Sequence, residues 1–215
     1  MGNYGLALND YARYGEAVPV LRAATAMAEH YAGAASPVAM QDRVFLAEAL
    51  WGMGQKDAAR AALKQNLTLE SERHESASIA ALRDRVYGAR FALDEHHSEQ
   101  AQGELADIIA QYRKLGPTGQ LGLAQSLLFE GEALLAQSKA AQSVPLLREA
   151  VELRERLLWG QSWELALARE RLGEALLATG DGRGRPLLER AASTLSAQLG
   201  AHHPETLRAS RALAT

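Results

Sequence analysis

Few side chains in this sequence stand at spacings that metal binding would require. Two pairs of adjacent histidines, His96-His97 and His202-His203, could supply imidazole ligands. Neighbouring residues on a helix point in different directions, so a site would need offsets of three or four, or a third group from elsewhere. Both pairs fall at predicted turns, where a solvated polar turn is the favoured interpretation. We predict no metal site.

The glycine-rich stretch 180–185 superficially resembles a phosphate-binding loop. No predicted strand precedes it, and its glycine spacing matches neither nucleotide motif, so we expect a turn between two helices. No nucleophile stands beside a base at a recognisable spacing, and no strand-to-turn platform for one is expected. The chain has no cysteine, which excludes disulfides and zinc held by thiolates. We predict no catalysis and no cofactor.

The composition favours helices throughout. Alanine and leucine supply 76 of the 215 residues, and both favour helices over strands. The formal net charge of −3 argues against a nucleic-acid partner, which would require an excess of lysine and arginine. No uncharged run is long and unbroken enough to span a bilayer, and the first residues do not resemble a signal peptide. We expect a soluble protein that does not insert directly into membranes.

The sequence repeats with a period of 42 residues. Small residues recur at that interval, and a leucine follows each of the first four by sixteen positions. The small residues are Gly5, Ala47, Ala89, Gly131 and Gly173, and the leucines are Leu21, Leu63, Leu105 and Leu147. Leu188 continues the series after a one-residue deletion. Offsets of three and four place residues on one helical face, so each unit is predicted to hold two helices that approach closely at the small residue.

This register predicts the boundaries of the helices. First helices are expected near 2–13, 37–53, 75–94, 117–137, 161–179 and 203–214, and second helices near 16–32, 56–72, 98–114, 140–158 and 183–199. All six prolines are expected in the first turn of a helix, where proline is tolerated. We expect the repeats to form a single domain, 1–215, with repeat boundaries near 1–36, 37–74, 75–116, 117–160, 161–202 and a partial 203–215. Because both ends stop inside the pattern, we expect a fragment of a longer protein.

The pattern resembles the tetratricopeptide repeat (TPR), in the long variant found in kinesin light chain and many bacterial adaptors. The segment 199–207 is similar to the Leu-Gly-x-x-His-Pro-x-Thr junction of that variant. The resemblance implies an all-α fold, a right-handed α-α superhelix (TPR solenoid) of about five helix-turn-helix repeats plus a partial sixth. It also implies a concave groove lined by the first helices, which binds a peptide or protein.

Four positions of each first helix are predicted to face this groove, namely those six before, three before, two before and one after the small residue. They are Gln41, Val44, Phe45 and Glu48; Arg83, Val86, Tyr87 and Arg90; Gln125, Leu128, Phe129 and Glu132; and Leu167, Glu170, Arg171 and Glu174. Three aromatic residues recur among them, and two interpretations stay open. They form an apolar stripe for a ligand, or they pack between neighbouring first helices. The alternation of Glu and Arg indicates no purely acidic or basic ligand. Trp159 and Trp163 flank the fifth junction and are expected to cover a helix end.

The expected function is a non-enzymatic interaction or scaffold module that binds a peptide or protein segment. From the resemblance, such a module would be the sensory or adaptor part of a bacterial signalling or regulatory protein. Two alternatives stay open: a structural solenoid that forms homo-oligomers through its ends, and a receptor for a small molecule. The expected compartment is the cytoplasm, or the periplasm if the module belongs to a membrane-tethered regulator.

Overall fold

The computed structural model describes residues 1–158 and 162–214, and within these ranges it contains helices and no β-strand. The helices are α1 Gly2–Asp10, α2 Tyr14–Ala32, α3 Pro37–Gly52, α4 Lys56–Glu72, α5 Ile79–Asp94, α6 Ser98–Lys114, α7 Gln120–Ala136, α8 Ala140–Leu157, α9 Trp163–Ala178, α10 Gly184–Leu199 and α11 Pro204–Ala214. No helix in the described part of the chain is long and apolar enough to cross a membrane.

The chain divides into two compact units, Met1–Phe91 (unit 1) and Ala92–Thr215 (unit 2). In unit 1, α1 packs on α2 and α3, α2 packs on α3, and α3 packs on α4. In unit 2, each helix from α6 to α10 packs on the next one, and α9 also contacts α7 and α11. Contacts between successive first helices, such as α7 with α9, are those expected of stacked helix pairs.

The close approach predicted inside each pair is confirmed at the small residues. A Cβ atom added to Gly5 would lie 2.4 Å from the Leu21 side chain, and one added to Gly131 would lie 2.4 Å from Leu147. Both leucines are fully buried. The glycines are therefore needed because the leucine of the second helix occupies the space that a side chain would fill.

Serine caps begin three of the first helices at the same register. The hydroxyls of Ser36, Ser78 and Ser162 each accept a hydrogen bond from the backbone N–H three residues later. An N-cap serine satisfies one of the free N–H groups of the first turn. The fourth unit has Gln120 in this register, and a short 3₁₀ turn, Gly116–Gly119, precedes its first helix instead.

Several boundaries differ from the predictions. α5 begins at Ile79 rather than near 75, because Ser78 caps it, and α7 begins at Gln120 behind the 3₁₀ turn. Pro19 and Pro145 were expected in the first turn of their helices, and this was wrong: each is the sixth residue, in α2 and α8 respectively. A proline there removes one helical hydrogen bond, and both helices continue past it.

Candidate binding site

Half of the predicted groove positions are buried inside their units. They are Val44, Phe45, Val86, Leu128, Phe129, Leu167, Glu170 and Arg171. Of the others, Gln41 is exposed, and Glu48, Arg83, Tyr87, Arg90, Gln125, Glu132 and Glu174 are partly buried. Phe45 and Phe129 are only 7% and 5% exposed, a placement that favours packing between helices over contact with a ligand.

Four predicted groove residues of unit 1 interact electrostatically: Glu48, Arg83, Tyr87 and Arg90. The Tyr87 ring packs against the core cluster that contains Phe45, and the Glu48 charge, together with burial, raises the pKa of its phenol. The positive charges of Arg83 and Arg90 oppose this effect by lowering the pKa of the same phenol. Burial, aided by Asp10, raises the pKa of Glu48 to about 7. These residues form a polar cluster on α3 and α5.

Two residues of α1 join this cluster and were missed from the sequence. The Asn9 amide donates to the Phe45 carbonyl at 2.8 Å and to Glu48 Oε2 at 3.2 Å. Asp10 adds a negative charge that raises the pKa of Glu48 further. Asn9 and Asp10 stand four and five residues after the small residue Gly5. Groove positions were predicted only as far as one residue after the small residue, so both were missed.

In unit 2, several predicted groove residues hold the first helices together. Arg171 Nε lies 2.5 Å from Glu132 Oε1 of α7, and Arg171 Nη2 lies 2.8 Å from Glu205 Oε2 of α11. Arg171 also pairs with its neighbour Glu170. Its side chain is 2% exposed, so these ion pairs are shielded from water. These ion pairs link α7, α9 and α11.

Two more of the residues singled out in the sequence, Gln125 and Trp163, also contact other residues of unit 2. Gln125 Oε1 accepts from Arg154 Nη2 at 2.6 Å, and burial lowers the pKa of Arg154 to about 10. Trp163, the first residue of α9, packs against the cluster of Ala166 and Leu195. Trp159 lies outside the described residues.

The histidine pairs and the glycine-rich stretch lie where turns were predicted. His96 has a left-handed backbone between α5 and α6, and His203 precedes α11, where its Nδ1 accepts from the Glu205 N–H at 3.2 Å. In the stretch 180–185, Arg183 donates to Asp181 and holds the pKa of that carboxyl near 2. The predicted helix-to-helix turn is thus confirmed, and Arg183 and Asp181 form an ion pair within it.

One pocket in unit 2 combines an apolar floor with a charged rim, and we call it the arginine pocket. It lies between α7, α9, α10 and α11 and has a volume of about 750 Å³. We call its apolar lining residues the floor (Leu135, Leu177, Ala178, Leu188 and Ala212) and its charged lining residues the rim (Glu174, Arg185, Arg208 and Arg211). Glu174 is a predicted groove residue, and it accepts from Arg208 Nη2 at 2.9 Å.

The rim of the arginine pocket carries an excess of positive charge. Three arginines face one glutamate, and Arg185 is well exposed, 3.5 Å from the exposed Glu189. The sequence held two signals for this pocket that were not used. Leu135 and Leu177 stand four residues after Gly131 and Gly173. The arginines of α11 occupy groove positions if the register is extended to Ala214.

No protein-family model matches the sequence, and neither does any curated protein. Solved structures do match it. A putative kinesin light chain from Podosopora anserina with nearly identical TPR-like repeats has a TM-score of 0.60 and 19% identity over 91% of this chain and 93% of that one. A variant of the same protein gives a TM-score of 0.62 at the same identity and coverage. BtubC (BKLC) from P. vanneervenii gives 0.65, with 18% identity over 89% and 76% of the two chains.

The chain has the TPR-like repeat fold. The predicted fold class and the resemblance to kinesin-light-chain-like repeats are therefore confirmed. At identities below one fifth, the likeness concerns the architecture of paired helices.

Proposed function

We propose that this TPR-like chain binds peptide segments, and that the arginine pocket of unit 2 holds an apolar side chain beside a carboxylate. The observation that carries the proposal is the pairing of a leucine floor with an arginine rim next to Glu174. Peptide grooves of this kind obtain affinity from apolar anchors and specificity from placed charges.

The chemistry of the pocket favours an acidic segment over a basic one. Burying one leucine-sized side chain on the floor stabilises a complex by about 1.5–3 kcal/mol. Arginine donates two parallel hydrogen bonds to a carboxylate, and such charge-assisted bonds are stronger than neutral ones. Arg208 is engaged by Glu174 and Arg185 lies 3.5 Å from Glu189, so Arg211 is the rim residue that we expect to meet the ligand carboxylate.

The proposed setting is an adaptor or sensor module of a bacterial regulatory protein, without catalysis of its own. TPR-like folds commonly accompany an effector domain, and a peptide-binding pocket would couple that effector to a partner. We place the module in the cytoplasm, or in the periplasm where it belongs to a membrane-tethered regulator.

The test uses a phage-displayed library of random twelve-residue peptides selected on the immobilised chain. We expect the recovered peptides to share a large apolar residue next to Asp, Glu or a free C-terminus. Synthetic copies, measured by fluorescence anisotropy, should bind at least tenfold more weakly to Arg211→Glu and Leu177→Asp. Arg190→Glu, an exposed charge reversal on α10 outside the pocket, is the matched control. Peptides without this pattern, or affinities equal in all variants, would refute the proposal.

A further inference from the structure

Two carboxyl groups are buried close to each other where α4 meets α5 in unit 1. Glu70 of α4 is 1% exposed, and Asp84 of α5 is fully buried. Neither oxygen of Glu70 has a hydrogen-bond partner among residues 1–158 and 162–214. The Asp84 charge acts on Glu70 directly, which places the two groups within electrostatic reach of each other. We call them the carboxyl pair.

The groups that favour the charged form of Asp84 compensate its burial only in part. Arg83 Nε of α5 lies 3.5 Å from Asp84 Oδ1. The Asn66 side chain of α4 and the Arg43 charge of α3 act in the same direction. Burial outweighs all three and raises the pKa of Asp84 to about 6.

Glu70 is surrounded by charges of both signs. Burial, aided by the negative charges of Asp84 and Glu75, raises the pKa of Glu70 to about 7. The positive charges of Arg83 and Arg73 oppose this rise and do not cancel it. Near neutral pH the carboxyl pair is therefore about to gain or lose a proton.

The equivalent positions of the other second helices bury no carboxyl group. In the 42-residue register, Glu70 corresponds to Ala28, Tyr112, Arg154 and, after the one-residue deletion, Leu195. Tyr112 fits against Gly122, where an added Cβ would lie 2.3 Å from its ring. Arg154 donates to an amide oxygen and to a backbone carbonyl. These side chains suit their surroundings at any pH near neutrality, whereas Glu70 suits its own only when it is protonated.

The turn between α4 and α5 adds strain at the same place. His74 has a φ of 56°, in the left-handed region that is unfavourable for a residue with a Cβ atom. After α2, α6 and α10, the residue with a positive φ is a glycine: Gly33, Gly116 and Gly200. Glycine adopts this conformation without a steric penalty. The connection that holds the carboxyl pair together is thus under strain that these other connections avoid.

We propose that the carboxyl pair is a pH-dependent switch: while it holds a proton, the start of α5 stays packed on α4, and loss of that proton releases it. α5 also carries Tyr87 and Arg90, so its release would alter the polar cluster that these residues form with Glu48 of α3. The switch lies in unit 1, and it does not depend on peptide binding by the arginine pocket.

The direction of the switch follows from proton binding. Once water reaches the carboxyl pair, both groups regain the lower pKa values of exposed carboxylic acids. The closed joint therefore binds protons more tightly than the open joint. This advantage of the closed joint is present in acid and is lost as the pH rises through 6 and 7.

The experiment uses one introduced thiol, because the chain has no cysteine of its own. Ala81 of α5 is 1% exposed and stands three residues before Asp84, on the same helical face. The rate at which Ala81→Cys reacts with iodoacetamide is divided by the rate of a short peptide of the same sequence at the same pH. This ratio gives the fraction of time for which the joint is open. We expect it to rise at least tenfold between pH 5.5 and pH 8.

A second thiol separates opening of the joint from unfolding of the whole unit. Ala59 of α4 is fully buried in the same core cluster as Ala47 of α3, away from the carboxyl pair. At pH 8 the open fraction measured with Ala81→Cys should exceed that of Ala59→Cys at least tenfold. Equal open fractions at every pH would overturn the proposal, because α5 would then be released only by unfolding of the unit.

Substitutions in the Ala81→Cys chain identify the group responsible. Glu70→Gln should reduce the rise to less than threefold, and Asp84→Asn should act in the same direction. Glu72→Gln, an exposed neighbour on α4, should leave the rise unchanged. His74→Gly relieves the strained turn and removes its titratable ring, so it should lower the open fraction at every pH and keep the tenfold rise. A rise that persists in Glu70→Gln, or one that disappears in His74→Gly, would overturn the assignment to the carboxyl pair.

Discussion

We predict that two buried carboxyl groups in unit 1 make the stability of this protein depend on pH. Glu70 of α4 and Asp84 of α5 are 1% and 0% exposed. Neither oxygen of Glu70 has a hydrogen-bond partner among the described residues. Burial, aided by the Asp84 charge, raises the pKa of Glu70 to about 7, against a smaller opposing effect of Arg83. Burial likewise raises the pKa of Asp84 to about 6.

The sign of the effect follows from proton binding. Because the pKa of Glu70 is higher in the folded chain than in the unfolded chain, the folded chain binds this proton more tightly. The resulting stabilisation is fully present below the unfolded pKa of 4.5 and is lost as the pH rises toward 7. A tenfold difference in proton affinity is worth about 1.4 kcal/mol, so the upper limit for Glu70 is roughly 3 kcal/mol. Because Glu70 and Asp84 are coupled, part of this loss belongs to Asp84, and we expect about 2 kcal/mol from Glu70 itself.

The perturbation is Glu70→Gln, which makes the side chain permanently neutral. We expect the free energy of unfolding of the unmodified chain to fall between pH 5 and pH 8. The free energy of unfolding of the variant should decrease less over this pH range. At pH 8 the variant should be more stable than the unmodified chain by about 1–2 kcal/mol. Urea unfolding followed by circular dichroism at 222 nm, at four pH values, measures both quantities.

A matched control is Glu72→Gln, two residues further along α4, where the side chain is exposed. It should leave the pH profile unchanged, because this side chain is surrounded by water and the substitution removes no buried carboxyl group. Parallel profiles for Glu70→Gln and the unmodified chain, or a less stable Glu70→Gln at pH 8, would refute the reasoning.

Three further substitutions test packing in unit 2. Phe129→Ala should lower the free energy of unfolding by about 3–5 kcal/mol, because it empties a buried aromatic site; a loss below 1 kcal/mol would show that the ring is not core. Gly131→Ala should cost about 1–3 kcal/mol, because its Cβ would meet Leu147 at 2.4 Å. Gly103→Ala, where nothing lies within 4 Å of the added Cβ, should instead stabilise the chain by about 0.5–1 kcal/mol. Thermal and urea unfolding measure all three, and an equal response of the two glycines would contradict the account.

The groove predictions show how far helical periodicity reaches. A helical wheel places Phe45 and Phe129 away from the second helix of their own repeat. It carries no information on whether a neighbouring first helix covers them, and both are buried. The same limit applies to Arg171, whose partners Glu132 and Glu205 lie 39 and 34 residues away along the chain. The position of Arg171 in the repeat predicted a groove residue, whereas its ion pairs with Glu132 and Glu205 connect neighbouring first helices.

The features that the sequence determined are those that depend on local spacing: the 42-residue period, the pairing of helices, and the contacts of Gly5 with Leu21 and Gly131 with Leu147. A 3.6-residue helical repeat and the size of a side chain are enough to predict them. Tertiary structure alone decided which polar groups are buried and that the carboxyl groups of Glu70 and Asp84 interact. Burial and electrostatic coupling arise from surfaces of neighbouring helices that are distant in sequence, and no local pattern records how closely those surfaces fit.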